Sequence, residues 1–263
     1  MYGWRGRIGL MTPTGNTTME PEFQRLAPDG VSVHANRVYL EKVTPEHLLA
    51  MAGEAAKCAA GLRACGVGVL AFGCTSGSFV GGKGYDDRLR QIIEDETGIP
   101  ATTTATAVLR ALEALGVTRF AMATPYTDAV NQIERKFFED NGFEITRVAG
   151  GGLVETPEIQ LCEPRVAYDR AREVDDDRAE AVFISCTGFR TIEILERLEA
   201  DLGKPVISAN QATFADCLRI LGIGEAVAGF GSLFARLLGR RPAPLAGESG
   251  AAKVTPLARH QRS

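Results

Sequence analysis

The chain nearly repeats itself. Arg7-Ile8-Gly9-Leu10-Met11-Thr12-Pro13 is echoed by Arg119-Phe120-Ala121-Met122-Ala123-Thr124-Pro125, and Pro13 and Pro125 stand 112 residues apart. Cys74 and Cys186, each closing an apolar strand-like run, are separated by the same 112 residues. Farther on, Gly98-Ile99-Pro100 and Leu115-Gly116 recur as Gly203-Lys204-Pro205 and Leu221-Gly222, at offsets of 105 and 106. Two copies are too few for a solenoid, so the pattern predicts one unit built from two similar halves, residues 1–115 and 116–225. An extension, 226–263, follows; from Arg240 it lacks periodicity, and its end is expected to be disordered.

Within each half, short β-rich runs alternate with amphipathic stretches. Strands are predicted at Arg7–Met11, Val31–Tyr39, Val67–Phe72 and Ala101–Thr104, then at Arg119–Ala123, Glu144–Val148, Ala181–Ser185 and Pro205–Ser208. Helices are predicted between them, among them Pro45–Ala64, Asp86–Thr97, Ala107–Leu115, Ala129–Asn141, Thr191–Leu202 and Gln211–Leu221. Strand–helix–strand alternation at this spacing gives an α/β fold, a mostly parallel sheet flanked by helices on both faces.

Charge narrows the choice of partner. Lys and Arg total 29 against 33 Asp and Glu, a net charge of −4. Neither nucleic acid nor an anionic membrane is favoured by such a surface, which leaves a small molecule as the expected partner. No apolar run reaches the ~18 residues of a membrane span, and no signal-peptide architecture precedes Ile8, so a cytoplasmic protein is expected. The six cysteines form no CxxC pair, and none of the three histidines lies near one in sequence, so no zinc site is expected. Cys58, Cys65, Cys162 and Cys217 read as packing thiols.

Cys74 and Cys186 read differently. In a parallel α/β sheet ligands bind beyond the carboxyl ends of strands, where helix N-termini aim their N–H groups. Both thiols fall there, in Phe72-Gly73-Cys74-Thr75-Ser76-Gly77 and Ile184-Ser185-Cys186-Thr187-Gly188. If the halves pack about a pseudo-twofold axis, the two thiols flank one substrate in the cleft between them, with backbone N–H groups drawing a thiol pKa toward neutrality. Gly77–Lys83 matches the GxxxxGK of a phosphate loop, but Gly84 stands where Ser or Thr must hold magnesium; these glycines are expected to form a mobile flap. Asp175-Asp176-Asp177 reads as a solvated turn rather than a metal site.

These residues carry a family resemblance. The stretch from Gly73 through Thr104 to Leu112, then Leu115-Gly116-Val117, Ala123-Thr124-Pro125-Tyr126 and Ser185-Cys186-Thr187-Gly188, resembles the aspartate/glutamate racemase superfamily, in the branch of maleate cis-trans isomerase and arylmalonate decarboxylase. Pro13-Thr14-Gly15-Asn16-Thr17-Thr18-Met19-Glu20 is similar to the isomerase version of the first loop. The resemblance implies two pseudosymmetric flavodoxin-like halves, a homodimer, no cofactor and no metal. It implies Cys74 and Cys186 as the catalytic pair. It further implies that Asn16, Thr75, Ser76, Tyr126, Thr187 and Gly188 bind a small carboxylate or dicarboxylate through amide, hydroxyl and backbone donors. On their own chemistry, Asn16 equally suits a helix cap and Tyr126 a buried aromatic. One departure stands out: the isomerase type carries an asparagine in the middle of the second half, and Glu155–Pro164 contains none.

The resemblance leaves three reactions. Maleate-type cis-trans isomerisation through a covalent Cys74 adduct comes first, because decarboxylase members have glycine where Cys74 stands. Racemisation of an Asp/Glu-type amino acid also uses two thiols, and arylmalonate-type decarboxylation uses Cys186 alone. A non-enzymatic carboxylate-binding module ranks last.

Overall fold

A computed structural model describes residues 1–225 and 227–239. The first half runs β1 (Gly6–Pro13), α1 (Met19–Leu26), β2 (Val31–Val38), α2 (Pro45–Gly53), α3 (Ala55–Arg63), β3 (Val69–Phe72), α4 (Thr75–Phe79), α5 (Tyr85–Thr97), β4 (Ala101–Thr103) and α6 (Thr104–Leu115). The second runs β5 (Arg119–Ala123), α7 (Asp128–Asp140), β6 (Glu144–Ala149), α8 (Thr156–Gln160), α9 (Pro164–Val174), β7 (Ala181–Ile184), α10 (Leu195–Leu202), β8 (Val206–Ser208) and α11 (Ala209–Ile220). A last helix, α12 (Leu233–Leu238), buries Leu233 and Phe234, the latter edge-on to Phe214 at 6.3 Å.

All eight expected strands are present. They form two four-stranded parallel sheets of matching order, β2-β1-β3-β4 and β6-β5-β7-β8. In such a sheet the winding reverses between the two inner strands, and the crevice beyond their carboxyl ends receives the ligand. Here those strands are β1 and β3, and β5 and β7. Their following loops carry Asn16, Cys74, Tyr126 and Cys186 respectively. The repeat is visible in the punctuation as well. Gly98 and Gly203 end α5 and α10 with φ of 68° and 66°, a backbone that glycine adopts without a Cβ penalty.

Three expected elements come out differently. Pro45–Ala64 is not one helix: it divides at Glu54, whose φ of −91° and ψ of 0° tighten the turn. Thr191–Leu202 is helical only from Leu195: Thr191–Ile194 form a turn, the Ile194 N–H donating to the Thr191 carbonyl at 3.0 Å, and the N–H groups of Thr191 and Ile192 go to the Glu22 carboxylate. Only the start of the glycine flap is helical: Gly77 lies in the short helix α4, whose residues Thr75, Ser76, Gly77, Ser78 and Phe79 are all buried, and Gly81, Gly82 and Gly84 follow in a turn nearer the surface. Gly77 lies against Met51 and the Cys74 sulfur, leaving no room for a side chain. Lys83 donates to the Asp140 carbonyl at 2.6 Å. The expectation of a disordered end falls on residues 240–263, outside the described ones. Among the described residues no helix is long and apolar enough to cross a membrane, and no group of His, Cys, Asp and Glu could hold a metal ion.

The halves meet along α6 and α11, which begin directly after β4 and β8. Thr103 and Ser208 cap them, accepting from the N–H of Thr106 (3.1 Å) and Gln211 (3.3 Å). Asp216 of α11 is fully buried and accepts from Arg110 of α6 at 2.8 Å, Arg219 at 2.7 Å and the Thr102 hydroxyl at 2.6 Å. Burial opposes its ionisation, but the two guanidiniums outweigh burial and hold the carboxyl below its ordinary range. Glu134 of α7 shows the opposite balance. It is equally buried, accepts only the Ser185 hydroxyl at 2.6 Å and pairs with no cation among the described residues, so burial pushes its carboxyl up to about 8.

Two stability predictions follow from this contrast. Asp216→Ala strands two largely buried guanidiniums and should cost about 3–5 kcal/mol in denaturant unfolding; a loss below ~1 kcal/mol would contradict the account. Glu134 is a carboxyl whose folded-state pKa is raised from 4.5, so the folded chain keeps a proton that the unfolded chain releases, and stability falls as pH rises toward about 8. The melting temperature of Glu134→Gln, relative to wild type, should therefore climb across that window; a constant difference would show that Glu134 does not hold its proton.

Candidate active site

Four loops converge on one pocket. The β1 loop supplies Pro13 and Asn16, the β3 loop Cys74 and Ser76, the β5 loop Tyr126, and the β7 loop Cys186, Thr187 and Gly188. Leu40 and Val43 enter from the segment after β2, and Thr156, Ile159 and Gln160 from α8; the pocket they line opens to solvent. Where these last two segments meet, the Val43 N–H donates to the Val154 carbonyl at 3.2 Å and Lys42 pairs with Glu155 at 3.3 Å.

Each thiol is placed by its backbone. Cys74 opens α4 as its N-cap, its sulfur accepting the Gly77 N–H at 3.4 Å, with the Ser76 hydroxyl at 3.8 Å. Burial pushes its thiol up to about 11 against these donors. Cys186 has a φ of 90°, the only non-glycine residue with positive φ among those described. That region costs an L-residue about 1–2 kcal/mol, and strain of this kind persists only where the surroundings over-determine it. The Cys186 sulfur accepts the Gly188 N–H at 3.3 Å, and the Tyr126 hydroxyl beside it favours the ionised form, yet burial pushes the thiol up to about 12. The expectation that N–H donors bring a thiol toward neutrality is thus corrected. One or two donors do not offset full burial in a pocket that no Lys, Arg or His lines. Burial likewise holds the Tyr126 phenol well above its usual range, with the neighbouring Cys186 and Glu134 adding to the effect.

Asn16 does two jobs. Its Oδ1 accepts from the N–H groups of Thr18 and Met19, both at 2.9 Å, fixing the start of α1, and its Nδ2 donates to the Thr187 hydroxyl at 2.9 Å. Thr187 passes the bond on to the Gly73 carbonyl at 3.2 Å. Seven of the eight expected site residues therefore border the pocket. Thr75 does not: it is buried beside Cys74, and its Oγ1 has no partner among the described residues. Of the four packing thiols, Cys58 and Cys217 are buried, whereas Cys65 is exposed and Cys162 partly so.

Sequence reasoning missed the apolar wall of Leu40, Val43 and Ile159, and the amide of Gln160. Gln160 accepts the Thr18 hydroxyl at 2.9 Å and the Thr17 N–H at 3.2 Å through Oε1, which turns Nε2 toward Gly188 at the pocket. It lies within Glu155–Pro164, where an asparagine was sought; an amide one methylene longer was the available signal.

Comparison with known proteins agrees with this geometry. The model of the arylmalonate decarboxylase family matches residues 8–234. An arylmalonate decarboxylase of Bordetella bronchiseptica is 32% identical over 231 residues, covering 86% of this chain and 95% of its own length. A maleate isomerase from Pseudomonas putida S16, solved with maleate, superposes with a TM-score of 0.83 at 27% identity, covering 88% of this chain and 98% of its own. A Nocardia farcinica maleate cis-trans isomerase, solved as a cysteine-to-serine mutant with a covalently bound succinylcysteine intermediate, gives 0.83 at 26% identity, covering 87% and 98%. From the strand order through the paired thiols to these relatives, the chain belongs to the arylmalonate decarboxylase family, whose neighbours include the maleate cis-trans isomerases.

Proposed function

We propose that the protein is a cofactor-independent isomerase that converts a small cis-dicarboxylate of the maleate type into its trans isomer. The observation that carries this reading is the pair of buried thiols, on strand ends 112 residues apart, bordering one pocket without a cation. We assign Cys74 as the nucleophile: both sulfurs accept a backbone N–H, but Cys74 alone stands at the start of a helix, α4, whose N-terminus favours a thiolate. Cys74 first loses its proton to water at the open pocket, and its thiolate adds to one alkene carbon while the Cys186 thiol gives its proton to the other. The product is a thioether whose central bond is single and rotates. The Cys186 thiolate then takes a proton back from the second carbon, the carbon–sulfur bond breaks toward Cys74, and the trans acid leaves with both sulfurs restored.

Neutral donors hold the carboxylates in this scheme. Ser76, Tyr126, the Asn16 amide and the Gln160 amide surround the thiols, and the N–H groups past Cys186 face charge that builds on a carboxylate as its α-carbon becomes a carbanion. The Nocardia relative with a succinylcysteine supports the covalent step. The Bordetella relative supports a second reading, decarboxylation by Cys186 alone. Six unpaired thiols suit a reducing compartment, and we place the enzyme in the cytoplasm. A homodimer is the assembly we propose.

Proton NMR of purified protein with maleate should show fumarate accumulating. Cys74→Ala and Cys186→Ser should each lower kcat/KM by about 10³-fold or more, as expected when one member of a cooperating pair is lost. Decarboxylation of an arylmalonate that survives Cys74→Ala, with no isomerisation by wild type, would establish the second reading instead. Because burial holds Cys74 at about 11, its alkylation in the substrate-free enzyme should keep accelerating with pH into that range; a plateau near neutrality would contradict the burial argument.

A further inference from the structure

The Cys186 loop is gripped from the first half of the chain by a buried carboxylate. Glu22, on α1, is 5% exposed. Its Oε1 accepts the N–H of Thr191 at 2.7 Å and of Ile192 at 3.3 Å; its Oε2 accepts Asn210 Nδ2 at 2.7 Å and lies 3.5 Å from the Thr191 hydroxyl. Asn210 Nδ2 also donates to the Thr187 carbonyl at 3.2 Å, one residue past Cys186. All four partners are donors, and a carboxylate is the side chain that only accepts. A glutamine here would turn an NH₂ group against one of them. Neither nearby cation neutralises Glu22: Arg25 and Arg190 share its surface pocket but both pair with Glu193, at 3.3 and 2.8 Å. Burial accordingly pushes the Glu22 carboxyl up to about 7.

A buried carboxylate without a cation is costly to keep, and its partners all lie on the loop and helix that surround Cys186. The same loop carries the one strained non-glycine backbone among the described residues. We infer that Glu22 is a positioning residue for the reaction: by holding Thr191, Ile192 and, through Asn210, Thr187, it keeps Cys186 in its left-handed backbone with the sulfur facing the pocket. The inference rests on the two-thiol reading for its consequence in turnover. It goes beyond that reading by placing the determinant of Cys186 geometry in the opposite half of the chain. The halves are thereby coupled chemically as well as by packing.

The test uses Glu22→Gln, and Asn210→Ala as a second variant that cuts the same chain of bonds from the other side without altering α1. In both, kcat with maleate should fall about tenfold or more while KM stays within about twofold, the signature of a lost transition-state contribution. Intact-mass analysis of acid-quenched turnover should show a larger fraction of enzyme carrying the substrate adduct, since water can supply the proton for addition whereas release needs the Cys186 thiolate as base. Without substrate, alkylation of Cys186 followed by peptide mapping should speed up as its loop loosens and the thiol gains water, with Cys74 unchanged. Unchanged kcat, KM rising as far as kcat falls without added adduct, or Cys74 and Cys186 accelerating alike would each overturn the inference. Should wild-type enzyme leave maleate untouched, the proposed function falls, and the alkylation ratio still decides the role of Glu22.

Discussion

One buried hydroxyl ties the site together. Thr187 Oγ1 accepts from the Asn16 amide of the β1 loop and donates to the Gly73 carbonyl of the β3 loop, while Thr187 itself sits next to Cys186 on the β7 loop. Three of the four loops that make the pocket are therefore joined through a single atom. Each bond is within 3.2 Å and fully buried, where a polar group left unpaired is expensive. The positions of both thiols depend on this junction. Cys74 follows Gly73 directly, and Cys186 precedes Thr187.

The repeat supplies two thiols, but their surroundings are not repeated. Both sulfurs accept a backbone N–H, but Cys74 starts a helix, whereas Cys186 sits on a strained turn beside Tyr126, in a loop whose Thr191 and Ile192 N–H groups bond to Glu22. The first arrangement suits a nucleophile that is a thiolate for part of the cycle, and the second a thiol that gives and recovers a proton. Burial works against ionisation of both. The same burial strengthens neutral hydrogen bonds to a developing enediolate and excludes water from a carbanion. Burial pushes the Glu134 carboxyl, bonded to Ser185, up to about 8, which favours its neutral form near the site.

Much of this was legible in the residues. Strand positions follow from apolar runs bounded by glycine and proline, and the shared offset of Cys74 and Cys186 places both at strand ends from the sequence alone. What stayed hidden depended on distant partners. Thr191 and Ile192 carry a helical pattern, but their N–H groups go to Glu22, almost 170 positions away. Gly77–Gly84 has a loop's composition, yet Gly77, packed against Met51, is drawn into the buried helix α4, and only the residues after Phe79 form a turn. Local chemistry likewise suggested that N–H donors would make the thiols acidic; the depth of burial, a tertiary quantity, reverses that. Leu40 lay outside every motif, and Gln160 stood in Glu155–Pro164 as the wrong amide for the isomerase pattern; both were brought in by the packing of the segments after β2 and β6.

The central claim is that Cys74 bonds to the substrate while Cys186 handles the proton. Its most direct test is to expose Cys186→Ser to maleate, quench in acid and map the modified peptide. The account predicts one succinyl group per chain, on Cys74: water at the open pocket supplies the proton for a slow addition, and the adduct accumulates because the thiolate that takes that proton back has been removed. An unmodified Cys74, or a succinyl group carried mainly by any other cysteine, would contradict it.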